Sequence, residues 1–222
     1  MSDAVRLFVG LPVAVPVAQA LAGACESLAR RARHQDVRIA WVPPASYHVT
    51  LAYFGAARAD AIAAVVDRLR AAAAAARPLR FRAARLGAFP SVASATVVWA
   101  GVDEPSGELA RLADAMAAAG EELGFARDHR TYHPHVTVGR LKVASAVGEV
   151  LLPLSEQAFS ETRCDSISLY ETVTKSNVSE YRVVARLPLG TRNPTVERQS
   201  PPVQTAPFDA SLGSDDGWDR TT

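Results

Sequence analysis

Cysteine is nearly absent: Cys25 and Cys164 are the only two in 222 residues, too few for a disulfide framework or a thiolate zinc site. A reduced, cytosolic protein is the expectation. An excess of charge of one sign is also missing. With 24 Lys+Arg against 23 Asp+Glu the formal net charge is +1, so no global field draws the chain to nucleic acid or to a membrane surface. Any anionic ligand must be caught locally. No apolar run reaches the roughly 18 residues of a membrane span, and Met1 to Leu11 carries Asp3 and Arg6 without the long apolar core of a signal peptide. Histidine is scarce as well, at five residues, so a pattern that uses two of them carries weight.

What is present fits a folded body. Hydrophobic residues make up 49% and charged residues 21%, close to an ordinary globular composition and far from a disordered or collagen-like one. The body is expected over residues 1–189. From Gly190 to Thr222 the only Leu, Ile, Val or Phe residues are Val196, Val203, Phe208 and Leu212, which cannot bury enough surface to offset ordering entropy. Residues 190–222 are therefore read as a disordered tail without assigned function, Trp218 included.

Periodicity gives the elements. Val5–Leu11 reads as a strand and Pro16–Arg33 as a helix, with proline tolerated in the first turn. Val37–Trp41 is a short strand, and Ser46–Phe54 an alternating strand before Gly55. Ala59–Ala76 is an alanine-rich helix whose stripe of Ile62, Val65, Val66 and Leu69 supplies the buried face. Leu79–Leu86 and Thr96–Val102 read as strands around a loop at Gly87–Ser94, followed by a helix over Gly107–Leu123. Tyr132–Leu141 is strand-like, Ala144–Leu152 a short helix, and Ile167–Thr174 with Tyr181–Leu187 a hairpin pair. Helices and strands mix without regular βαβ alternation, which favours an α+β fold with largely antiparallel sheets.

Two of these strands carry one pattern, His48-Val49-Thr50-Leu51 and His135-Val136-Thr137-Val138. With five His and 12 Thr in the chain, chance gives about 0.3 His-x-Thr matches, and roughly 0.1 once both intervening positions must be apolar. Histidine and threonine at i and i+2 share one face of a strand, and the apolar residues anchor the other. Two imidazoles facing one substrate let one take a proton while the other gives one, near neutral pH and without a metal. The threonine hydroxyls can donate to non-bridging oxygens as phosphoryl charge grows. This set suits phosphodiester cleavage better than acyl transfer, since no Gly-x-Ser-x-Gly elbow occurs.

Rival readings attach to neighbouring residues. His129, His133 and His135 form His-x3-His-x-His, a spacing known from zinc sites, but no Asp, Glu or Cys at matching spacing completes a ligand set. Trp41, Tyr47, Phe54, Phe89 and Tyr132 are either core aromatics or stacking partners for a base, with Tyr47 and Tyr132 nearest the motif strands. Arg127 and Arg130 flank Asp128 and read as a solvated loop, and His34 closes a helix among Arg30, Arg31 and Arg33, where cations suit the C-terminus. For Arg140, strict alternation puts His135, Thr137 and Gly139 on one face and Arg140 on the other, whereas a bulge at Gly139 turns it back.

Taken together the sequence resembles the two-histidine (2H) phosphoesterases, in particular their bacterial RNA 2',3'-cyclic phosphodiesterase branch, also called LigT-like or 2'-5' RNA ligase-like. The resemblance spans roughly residues 4–189. It rests on Arg6-Leu7-Phe8-Val9, Trp41-Val42-Pro43, both His-x-Thr motifs, Phe54-Gly55, Gly87, Phe89-Pro90 and Trp99. Pro134-His135 through Gly139-Arg140-Leu141, and Leu169-Tyr170-Glu171, complete it; Thr172 stands where the family often has serine. It implies a bilobal, pseudo-twofold fold of two largely antiparallel sheets with helices outside and a central cleft. It also implies a monomer with no cofactor and no metal, acting on RNA 3' ends to open 2',3'-cyclic phosphates to 2'-phosphates, with reversible 2'-5' ligation in some members. His48 and His135 become the acid–base pair, with the acid on His48 and the base on His135, while Thr50, Thr137 and Arg140 bind the phosphate. The alternatives are a phosphodiesterase for a small cyclic nucleotide or 2'-5' oligonucleotide, and a non-catalytic RNA-end-binding module.

Overall fold

A computed structural model describes residues 4–175 and 178–190. The chain runs β1 (Ala4–Pro12), α1 (Val15–His34), β2 (Ala40–Trp41), β3 (His48–Arg58), α2 (Ile62–Ala75), β4 (Leu79–Phe89), β5 (Ala95–Asp103) and α3 (Glu108–Glu121). It continues through β6 (His135–Ser145), α4 (Gly148–Leu151), β7 (Ala158–Cys164), β8 (Ser166–Lys175) and β9 (Val178–Pro188). All strand pairs are antiparallel.

The strands fall into two halves, β3-β1-β8-β9 and β6-β5-β4-β7, with β2 paired to β6. Each half places its His-x-Thr strand innermost. The two sheets expected from sequence therefore meet as one nine-stranded sheet, joined at a seam with the single register pair Val49↔Val136. Both valines are fully buried, so the apolar residue inside each motif anchors the seam.

Helix α1 buries Val17, Ala18, Leu21, Cys25, Leu28 and Ala32, a stripe at helical spacing that fastens it to the sheet. Its last turn carries Arg31, Arg33 and His34, the sign that suits the negative end of the helix dipole. In α2 the buried residues are Val65, Leu69 and Ala73, while Ile62 and Val66 of the expected stripe stay half-buried. Burial of each Leu or Val contributes about 1.5–3 kcal/mol against leaving it in water.

Departures from the sequence reading have local causes. The alanine-rich helix opens with a 3-10 turn at Ala59–Ala61. The Val37–Trp41 strand shrinks to Ala40–Trp41 because Val37 N donates to Ala32 O and closes the end of α1. Strand β7 was not expected: only Thr162 and Cys164 of its seven residues are buried, so this edge strand shows no apolar alternation. The tail reading for residues 190–222 falls outside the described residues except for Gly190, whose N–H donates to Ala76 O at 2.8 Å beyond the end of α2.

Candidate active site

Strands β3 and β6 form the floor. Antiparallel pairing about Val49↔Val136 sets His48 alongside Thr137 and Thr50 alongside His135, so each motif faces the other with imidazole and hydroxyl exchanged. Val49, Leu51, Val136 and Val138 point into the core, and the four polar side chains are half-buried on the opposite face.

The two imidazoles are held in the same way. His48 Nδ1 lies 2.7 Å from Ser46 O, and His135 Nδ1 lies 2.7 Å from His133 O. A carbonyl oxygen only accepts, so Nδ1 must carry the proton in both rings and the neutral imidazole presents its lone pair at Nε2. Both rings are thereby fixed in one tautomer and aimed by the residue two positions upstream.

Beyond each threonine the strand bulges. On β1, Val9 pairs with Ala52 and Gly10 with Thr50, leaving Leu51 as an extra residue. On β5, Val98 pairs with Gly139 and Trp99 with Thr137, leaving Val138 as the extra residue. An extra residue reverses the facing of everything after it. Arg140 is thus turned to the face of Thr137 and lines the cleft, and Tyr53 stands at the equivalent place after the first motif. The bulge expected at Gly139 lies one residue earlier. Gly139 serves another purpose: a Cβ there would come within 2.6 Å of Ile39 Cγ2 and 3.3 Å of Trp41 Cε3, so the bare backbone leaves room for these two side chains where β2 pairs alongside.

A cleft of about 370 Å³ is lined by His48, Thr50, Thr137 and Arg140, together with Arg6 and Tyr181 among others. Its size suits a nucleotide-sized ligand. A smaller cavity of about 200 Å³ adjoins His135, with Phe89, Trp99, His133 and Arg85 among its walls. His48 is packed by Phe8, Tyr181 and Tyr170 at ring-centroid distances of 4.8, 5.1 and 5.4 Å. His135 meets Phe89 edge-on at 5.1 Å and Trp99 at 6.5 Å. The indole lies across β4 at Gly87, where a Cβ would come within 2.3 Å of the ring.

These surroundings set the protonation. Burial drives the His48 pKa from 6.5 down to about 4; the bond to Ser46 O opposes this, and the nearby His135 and Arg140 add to it. His135 is also lowered, chiefly by burial, with Arg140 and His133 contributing. In the free protein both rings are neutral at pH 7.

The open aromatic readings divide. Tyr47 is not in the cleft: it is buried, with its hydroxyl on Cys25 Sγ at 3.7 Å. Phe54 packs on Phe125 in the core. Tyr132 donates to Thr50 O at 2.9 Å, fastening the approach to the second motif onto the strand of the first. Arg127 pairs with Asp114 and Glu121, and Arg130 with Asp128, so these cations are neutralised. Among the described residues no group of three or more His, Cys, Asp or Glu is placed to hold a metal ion. Sequence reasoning missed Arg6, Phe8, Tyr53 and Tyr181 as cleft residues. Alternation along β1 was legible for Arg6 and Phe8, whereas Tyr53 depended on a bulge.

Comparison with known proteins gives the family. The family model of the 2'-5' RNA ligase superfamily matches residues 17–175, and the chain belongs to that superfamily. More particularly, a protein of Archaeoglobus fulgidus named RNA 2',3'-cyclic phosphodiesterase is 32% identical over 133 residues, 60% of this chain and 73% of its own. An Aeropyrum pernix protein of the same name is 31% identical over 145 residues, 63% of this chain and 80% of its own. Among solved structures, a Thermus thermophilus protein has a TM-score of 0.69 at 22% identity, covering 84% of this chain and 99% of that one. E. coli LigT complexed with 3'-AMP gives 0.63 at 19%, with the same coverage. These two share the fold.

Proposed function

We propose that the protein hydrolyses 2',3'-cyclic phosphate ends of RNA to 2'-phosphates by acid–base catalysis between His48 and His135. The observation that carries this reading is the matched pair of Nδ1–H···O=C bonds, which leaves two Nε2 atoms free for proton transfer above one floor. Relatives named RNA 2',3'-cyclic phosphodiesterase support the substrate class.

Water attacks phosphorus and gives its proton to one Nε2; the bond from phosphorus to the 3' oxygen breaks, and that oxygen takes a proton from the other imidazole. We assign the base to His135 and the acid to His48. Neutral in the free protein, His48 gains its proton when the anionic substrate settles beside it and lifts its pKa. Thr50 and Thr137 donate to the non-bridging oxygens, and Arg140 adds a fixed positive charge where phosphoryl charge develops. Ring strain already makes the cyclic ester reactive, so positioning and charge stabilisation supply the remainder.

One chain completes the site, so a monomer suffices for turnover. Both cysteines are buried free thiols, which supports a reducing, cytosolic setting. Among the described residues no helix is long and apolar enough to cross a membrane.

The test is incubation of the pure protein, with EDTA present, with a short RNA ending in a 2',3'-cyclic phosphate. A 2'-phosphate product is expected. Activity that vanishes with EDTA and returns with zinc would replace this mechanism, and binding without turnover would make the protein an RNA-end-binding module. A second reading, reversible 2'-5' joining, draws on the cavity beside His135, where an RNA hydroxyl could take the place of water. Adding RNA with a free 5'-hydroxyl and looking for a longer product tests it.

A further inference from the structure

Arg6 has no part in the chemistry just described, yet it lines the same cleft. Alternation along β1 puts Arg6 on the face of Phe8, whose ring lies 4.8 Å from that of His48. Two residues of strand advance about 6.8 Å, so Arg6 lies one step beyond the reacting centre. Register across the sheet sets it beside Thr172, and Thr172 beside Tyr181. Tyr53, opposite Phe8 on β3, is 53% exposed.

Among the described residues no carboxylate neutralises this cation. Among the described residues the cleft lining contains no Asp or Glu, and Arg6 makes no ion pair with another described residue. Glu171, opposite Leu7 on β8, is taken by Arg182. A guanidinium left free among hydroxyls and aromatic rings is built to receive an anion. The reacting phosphate already has Thr50, Thr137 and Arg140, all on β3 and β6, and Arg6 stands on a different strand. In a chain of net charge +1, such a second cation has to act locally.

We propose that Arg6 holds the internucleotide phosphate next to the cyclic end, with Tyr53 as a shelf for the flanking base, so that the site takes an RNA chain end in preference to a mononucleotide. This rests on the RNA-end reading above. A single-strand phosphate contact carries a salt dependence of about −0.7 in log K per log salt, and base stacking on an aromatic tolerates any sequence.

Binding of product-like probes tests it without requiring turnover: adenosine 2'-phosphate against an adenosine trinucleotide ending in a 2'-phosphate. Wild type should bind the trinucleotide about tenfold more tightly at low salt. Arg6→Gln should remove most of that preference and flatten the trinucleotide's salt slope by about 0.7, and Arg6→Lys should keep most of it. No length preference in wild type, or equal losses on both probes in Arg6→Gln, would overturn the assignment and make Arg6 a contact of the terminal phosphate. Turnover of the matching cyclic substrates is measured alongside. If folded wild type opens neither, the hydrolase reading fails, and the binding ratio still decides Arg6.

Discussion

The two halves of the site share a strand and differ in nearly everything around it. Each has an imidazole whose Nδ1 is 2.7 Å from the carbonyl oxygen two residues upstream, a threonine two residues on, and a one-residue bulge after that. Where the first half then presents Tyr53, the second presents Arg140. Opposite Thr50 stands Gly10, and opposite Thr137 stands Trp99. His48 sits in a box of Phe8, Tyr170 and Tyr181, while His135 faces Phe89 and Trp99, whose indole Nε1 is buried without a hydrogen-bond partner among the described residues. In the proposed mechanism the repeated part supplies proton transfer, which needs two like groups. The unrepeated part sets the halves apart beside the motifs: Arg140 follows the second motif, where the first has Tyr53.

The shared part is broken first at the imidazoles. His48→Ala and His135→Ala should each lower kcat on a 2',3'-cyclic substrate by roughly 10²–10⁴-fold, with cooperative unfolding retained because both rings lie on the cleft side of anchored strands. A variant with normal turnover would remove that histidine from the pair. Thr50→Val and Thr137→Val each delete one donor to the developing charge, and kcat should fall toward the lower end of about 10²–10³-fold. If only one threonine matters, the phosphate is held by one half alone.

The differing parts give smaller effects. Arg140→Gln should reduce kcat/KM by about 10–100-fold, the weight of one charged hydrogen bond, whereas Tyr53→Gln at the equivalent position should leave most of it. Equal losses would mean that the halves bind alike. Acid stability reports on the first half. The shift of His48 from 6.5 to about 4 amounts to about 3 kcal/mol at full weight, cut to about 2 by solvent contact of a half-buried ring. Because the folded pKa lies below the unfolded one, the unfolded state binds more protons in between, and stability falls as pH drops from 6.5 toward 4. Chemical denaturation at a series of pH values should show this loss in wild type and a shallower one in His48→Ala.

Much of this was legible in the residues alone, for a physical reason. The His-x-Thr pairs sit in alternating strands whose buried valines fix the facing, and alternation is written directly in sequence. Helices α1, α2 and α3 were visible because their apolar residues recur at helical spacing. What escaped depended on partners. The bulges at Leu51 and Val138 exist only relative to β1 and β5, so neither Tyr53 nor the facing of Arg140 follows from its own strand. Tyr47, beside His48, is open in sequence to a core or a cleft reading, and its hydroxyl goes to Cys25 on α1. Strand β7 is held by pairing with β4 and has almost no apolar pattern of its own.

The central claim is that two equivalent imidazoles divide proton removal and proton donation across one phosphate. It is tested most directly by kcat/KM against pH for wild type, His48→Ala and His135→Ala on a 2',3'-cyclic substrate. Wild type should give a bell centred on the acidic side of neutral, since both free-protein pKa values lie below the ordinary histidine value. The two limbs belong to the coupled pair. In the residual activity of the variants, His135→Ala should lose the acidic limb, where a base is protonated away, and His48→Ala the alkaline limb, where an acid is lost. Both limbs persisting unchanged in both variants would show that other groups titrate, and would contradict the assignment of His48 and His135 as the acid–base pair.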